Sequence, residues 1–143
     1  MSGAGELGSN PASRLLDRIA ALLNAGDVDA VAALIAPDME RIDQRSTIAA
    51  PAATGADAFM ETVRGWFEVG FRDFAVEHLD QRGDDLALVR TTWTAEHDAQ
   101  VAFLAVYQDD GAGRLRRGAN FDADDLDGAS RMLTAWATQA DDS

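Results

Sequence analysis

Apolar positions recur three and four residues apart in the first half of the chain and every second residue beyond Gly70. Leu15, Leu16, Ile19, Leu22 and Leu23 share one helical face, with Arg14, Asp17 and Arg18 elsewhere on the wheel. Asn10-Pro11 supplies an N-cap and a first helical residue, and Gly26 a stop. Asp27 can cap a second helix presenting Val28, Val31, Leu34 and Ile35, which Pro37 would end. Met39–Arg45 alternates and predicts a strand, and residues 46–54, STIAAPAAT, a loop. Thr54 with Asp57 suggests a capping box before a third helix carrying Phe59, Met60, Val63, Trp66 and Phe67 on one side.

After Gly70, turn signals at 82–85, 96–98 and 109–113 separate strands expected near 73–81, 86–95, 100–108 and 114–121. Short turns between consecutive strands make an antiparallel meander. Leu126, Ala129, Met132, Leu133 and Trp136 then give one side of a last helix over 125–138. The class is α+β, with helices expected on one face of a curved sheet. Residues 1–10 read as a disordered tail and 11–140 as a single domain.

Composition narrows the chemistry. Acids outnumber bases 25 to 12, and the net charge of −13 argues against nucleic acid and anionic membranes as partners. Cysteine is absent and every basic residue is Arg, which removes disulfides, thiolate catalysis and Schiff-base chemistry. No signal peptide and no membrane span are recognisable, so a cytoplasmic protein is expected. Any acid–base chemistry must rest on carboxylates, His78, His97 or the single Tyr107. The acids of 122–128 fail the calcium-loop pattern, with Leu126 and Leu133 at ligand positions, and read as helix-capping charges.

The segments LLNAGDVDAVAALIAPD, RIDQR, TGADAFMETV and GRLRRGANFDADDLDGA, in that order, resemble the nuclear transport factor 2-like superfamily. That superfamily includes ketosteroid isomerases, SnoaL-type polyketide cyclases and limonene-type epoxide hydrolases. The resemblance spans about residues 12–138. It implies a cone-shaped mixed sheet packed against the N-terminal helices with an additional C-terminal helix, a pocket for a hydrophobic small molecule, and a homodimer. No cofactor and no metal are implied. Asp43 in RIDQR falls where ketosteroid isomerases keep their general base, while the isomerase's oxyanion-hole Tyr and Asp fall near Ile19 and Ala105. The chain departs from the isomerase at both.

Asp43 has two readings. Facing an apolar pocket, it would be a usable acid or base in isomerisation, cyclisation or hydration. On an extended strand it shares a face with Arg41 and Arg45, and would then be a paired surface acid. Hairpin arithmetic sets Trp93 opposite Phe103 and brings Asn120 beside residues 103–105, where its amide could orient a carbonyl or a water. Trp66, with Phe59, Met60 and Trp93, would serve as pocket wall or as plain core. Tyr107 could donate to a ligand oxygen, or sit half-buried with its hydroxyl in water. His78, expected opposite about Val89, is a candidate base or ligand contact too far from His97 to share a metal. The alternatives to an enzyme are a ligand-binding domain without catalysis and a dimerisation module using Leu86 and Leu88 on the opposite sheet face.

Overall fold

A computed structural model describes residues 9–45, 53–96 and 98–141. The helices are α1 (Pro11–Asn24), α2 (Val28–Ala32), α3 (Ala56–Glu68) and α4 (Leu126–Asp141). The strands are β1 (Ile35–Asp43), β2 (Ala53–Thr54), β3 (Phe71–Arg82), β4 (Leu86–Ala95), β5 (Gln100–Asp109) and β6 (Leu115–Asp122). They form one mixed sheet in the order β2-β1-β6-β5-β4-β3, with β1 parallel to β6 and all other pairs antiparallel. This is the α+β cone expected. Irregularities between Phe71 and Asp73 and between His78 and Asp80 interrupt the β3–β4 ladder, the kind of defect that bends a strand.

The start of α1 follows its sequence signal. The Asn10 side chain accepts from the Ser13 N–H at 2.8 Å, and the Ser13 hydroxyl accepts from the Asn10 N–H at 2.9 Å. The Asn10 amide also donates to the carbonyls of Gly83 and Leu86, both at 3.0 Å, which fastens α1 to the β3–β4 turn. Gly26, at φ 75°, follows the end of α1 as expected of a left-handed stop.

Three local expectations are corrected. The second helix ends at Ala32, and β1 starts at Ile35 and runs through Pro37. Proline is accommodated because the β1–β6 register slips between Ile35 and Glu40, where no ladder donor is required of it. Thr54 belongs to β2, paired with Glu40, and Gly55 takes the cap position of α3 without a side-chain cap bond. The remainder of the expected loop, 46–52, and the expected tail over 1–8 lie outside the described residues, as does His97.

The helices cover both faces rather than one. Leu15, Leu16, Ile19 and Leu23 of α1, Val31 of α2 and Met60 and Val63 of α3 pack against Val89, Trp93, Phe103 and Ala105. On the other face Ala129, Leu133 and Trp136 of α4 cover Leu86, Leu88, Leu104, Val106, Ala119 and Phe121. Leu86 and Leu88, each about 1% exposed, are therefore covered by the chain's own last helix and not offered to a second copy. Among the described residues no helix is long and apolar enough to cross a membrane.

Candidate functional site

The face under α1, α2 and α3 encloses a cavity of about 70 Å³. Its walls are apolar: Leu16, Ile19 and Leu23 from α1, Val31 from α2, Phe59, Val63 and Trp66 from α3, and Phe74, Trp93 and Phe103 from the sheet. The aromatic rings interlock, with Trp66 5.1 Å from Trp93 and 6.3 Å from Phe103 between centroids, and Phe74 4.6 Å from Trp93. A volume of this size exceeds the ~10–15 Å³ that one water needs. It is small beside the ~300–1,000 Å³ of a typical ligand pocket, so a larger guest must displace side chains such as Phe59 and Trp66.

Apart from the hydroxyls of Thr62 and Thr91, the polar lining comes from β1 and the turn beyond it, β5 and β6: Arg41, Arg45, Tyr107 and Asn120. Cross-strand register explains the gathering. Arg41 pairs with Gly118, Tyr107 also pairs with Gly118, and Asn120 lies between Asp43 and Ala105. Gly118 has a specific use here. A Cβ at this position would stand 2.8 Å from Cε1 and 2.9 Å from Cδ1 of Tyr107, so only glycine lets the phenol ring lie across β6. Gly118→Ala should therefore push the ring aside and cost about 1–3 kcal/mol, read from denaturant midpoints. A loss below a few tenths would mean that the ring adjusts freely.

Beyond the end of β1 the chain folds back through an Asx-type turn, in which the Arg45 N–H donates to Asp43 Oδ1 at 3.1 Å. The Arg45 guanidinium then grips both oxygens of the carboxylate. Nε lies 2.9 Å from Oδ1 and 3.1 Å from Oδ2, and Nη2 lies 2.5 Å from Oδ2. The Asp43 side chain is 0% exposed and that of Arg45 7%. The pair thus combines parts of both sequence readings, being paired and buried. The other face of the guanidinium sits 4.8 Å above the Phe103 ring centroid. Asp43 does not itself line the cavity, because Arg45 stands between them in contact terms: the arginine lines the wall and the carboxylate holds the arginine.

Burial governs the protonation of this end. Tyr107 is pushed up to about 12 by desolvation, partly offset by the positive charges of Arg41 and Arg45. Desolvation likewise lowers Arg41, opposed by Asp43 and Tyr107 and reinforced by Arg45. A raised folded-state value means that the unfolded chain loses the phenolic proton first. Stability from this group is complete below the ordinary value near 10 and is lost as pH rises toward about 12. Tyr107 is the only tyrosine, so phenolate absorbance reports it alone. The expected midpoint is about 12 in the folded protein, falling to ~10 in urea. A folded-state midpoint near 10 would contradict the burial.

Of the residues singled out from sequence, Trp66, Trp93, Phe103, Tyr107 and Asn120 come together around the cavity, while Asp43 and His78 do not line it. His78 pairs with Val89 as expected, but its Nε2 lies 2.7 Å from Asp17 Oδ1 on α1. Trp93 pairs with Val101, and Phe103 with Thr91, correcting the expected Trp93–Phe103 pair. The cause is the turn: Ala95 N–H donates to Ala99 at 2.8 Å, which centres it one residue earlier than expected. The two aromatics remain on one face, now as diagonal neighbours. Arg41 and Arg45 were legible as residues sharing a face with Asp43, but not as cavity residues. Among the described residues no group of three or more His, Asp or Glu could hold a metal ion.

A model of the SnoaL-like domain matches residues 16–121. No curated protein sequence matches the chain. Solved structures do. A computationally designed 17-OHP binder superposes with a TM-score of 0.65 at 17% identity, covering 84% of this chain and 95% of its own. A Mycobacterium tuberculosis protein, solved in complex with estradiol-17beta-hemisuccinate, gives 0.62 at 14% identity over 78% of this chain and 93% of its own. A steroid delta-isomerase from Pseudomonas aeruginosa gives 0.61 at 15% identity, over 96% and 100%. At these identities the likeness is one of fold.

Proposed function

The chain belongs to the SnoaL-like family, and from that premise we propose that it binds a hydrophobic small molecule in the cavity between sheet and N-terminal helices. The observation that carries this reading is the make-up of the cavity: a mainly aromatic and aliphatic wall, broken by Thr62 and Thr91, that also takes in the guanidiniums of Arg41 and Arg45, the Tyr107 phenol and the Asn120 amide. In this reading Trp66, Trp93 and Phe103 hold the apolar body, and Tyr107 and Asn120 meet its oxygen. Asp43 is a positioning residue that fixes Arg45. Proteins of the same fold, one a designed 17-OHP binder and one solved with estradiol-17beta-hemisuccinate, support the ligand type.

The test uses the neutral two-ring probe methyl 2-naphthoate and titration calorimetry on the full chain. Saturable binding is expected, weakened at least tenfold by Val63→Trp, which fills the cavity. Equal binding by both proteins would place the probe elsewhere and remove the reading.

A catalytic reading is favoured by one further observation. Guanidinium and phenol donors at the end of an apolar enclosure are the kind that stabilise a developing enolate or alkoxide oxygen. Proton transfer in an isomerisation, cyclisation or hydration would then fall to Asp43, once Arg45 swings aside. Under that reading Asp43→Asn lowers turnover by more than tenfold, and turnover within tenfold of the parent would exclude Asp43 as the acid or base.

A further inference from the structure

We propose that the ligand of this cavity carries a carboxylate, taken by Arg45 and Asn120 at the polar end. The inference deepens the proposed function and rests on it. Both charged side chains lining the cavity are cations, Arg41 and Arg45, and among the described residues no carboxylate lines it. Arg45 is 8% exposed and keeps a buried donor, Nη1, without a hydrogen-bond partner; Asn120, 6% exposed, has no partner on its Oδ1, so no bond to that oxygen holds its amide in one orientation. Such atoms are costly to bury unsatisfied.

The geometry of Arg45 says what would satisfy it. A guanidinium has five N–H groups in a planar fork. Asp43 occupies the Nε and Nη2 edge, and the backbone turn and the Phe103 ring hold the plane in place. The hydrogens left over are those on Nη1 and the outer one on Nη2. They lie at the end of the fork, in the arrangement that accepts a second planar carboxylate through two parallel bonds. The Asn120 amide, on the neighbouring strand, can turn its NH₂ toward the same head group. A neutral ester or alcohol of the same body would use only part of this set. Tyr107, neutral below about 12, adds a donor without adding repulsion.

The experiment compares 2-naphthoate with methyl 2-naphthoate by calorimetry at neutral pH, on the parent chain, on the double variant Asp43→Asn/Arg45→Gln and on Asn120→Leu. The double variant exchanges the ion pair for two amides, so neither member of the pair is left as a charge without the other. The acid is expected to bind the parent at least tenfold more tightly than the ester. That preference should fall below threefold in the double variant and weaken in Asn120→Leu. If the parent binds the ester as well as the acid, the carboxylate inference is overturned while the cavity reading stands. A preference that survives in both variants, or acid binding that survives Val63→Trp, places the anion elsewhere and also overturns it. Failure of acid and ester alike to bind the parent removes both readings together.

Discussion

Arg45→Met is expected to destabilise the fold by about 3–5 kcal/mol, because it leaves the Asp43 carboxylate buried without its main counter-charge. The same change in the opposite direction, Asp43→Ala, strands a buried guanidinium and should cost a similar amount. Their double replacement by Asn and Gln removes both charges together and leaves hydrogen-bonding amides, so it should recover part of the loss. The comparison matters more than either single value. If the pair is an ordinary surface contact, each single variant loses no more than ~1 kcal/mol and the double variant shows no recovery. Urea unfolding followed by circular dichroism decides between these, provided the slopes agree and the transition stays two-state.

Trp136→Ala is expected to cost about 3–5 kcal/mol, the usual range for removing a large buried aromatic ring. The side chain is 3% exposed and fills the centre of the cluster under α4. It also carries the Arg117 guanidinium, 3.7 Å above its ring, and that cation is itself desolvated enough to be lowered from the usual arginine value. Losing the ring loses the stack as well. The second expectation is selective. The α4 cluster lies on the sheet face away from the cavity, so ligand affinity of the folded variant should stay within threefold of the parent. A variant whose unfolding midpoint hardly moves would show that α4 is held by something other than this cluster.

Much of the fold was legible because its elements obey two simple periods. The helical faces of Leu15–Leu23, Phe59–Phe67 and Leu126–Trp136, and the change of period past Gly70, suffice for the three longer helices and the meander. The failures have particular causes. Pro37 looked like a helix stop, and the slipped register that tolerates it in β1 depends on β6, some 80 residues later. Leu86 and Leu88 looked available because the sequence does not say which sheet face α4 will choose. The site divides in the same way. Its apolar wall could be guessed from large side chains on the right faces. Of its polar end, Tyr107 and Asn120 could be singled out but Arg45 could not, since its fold-back on Asp43 is made beyond the end of a strand, where alternation no longer applies.

The double use of Asn10 ties the seating of α1 to a distant turn. Its side-chain oxygen caps α1, while its NH₂ bonds the carbonyls of Gly83 and Leu86, more than 70 positions away along the chain. Those two bonds exist only while the β3–β4 hairpin is closed, so the anchoring of α1 depends on a contact made across a long loop. Leu16, Ile19 and Leu23, which roof the cavity, belong to that helix. Fraying of the hairpin turn loosens the same roof, and amide hydrogens of α1 should exchange by a smaller opening than those of β5 at the sheet centre. A guest too large for the closed cavity would enter by that partial opening, at a rate set by the release of one helix.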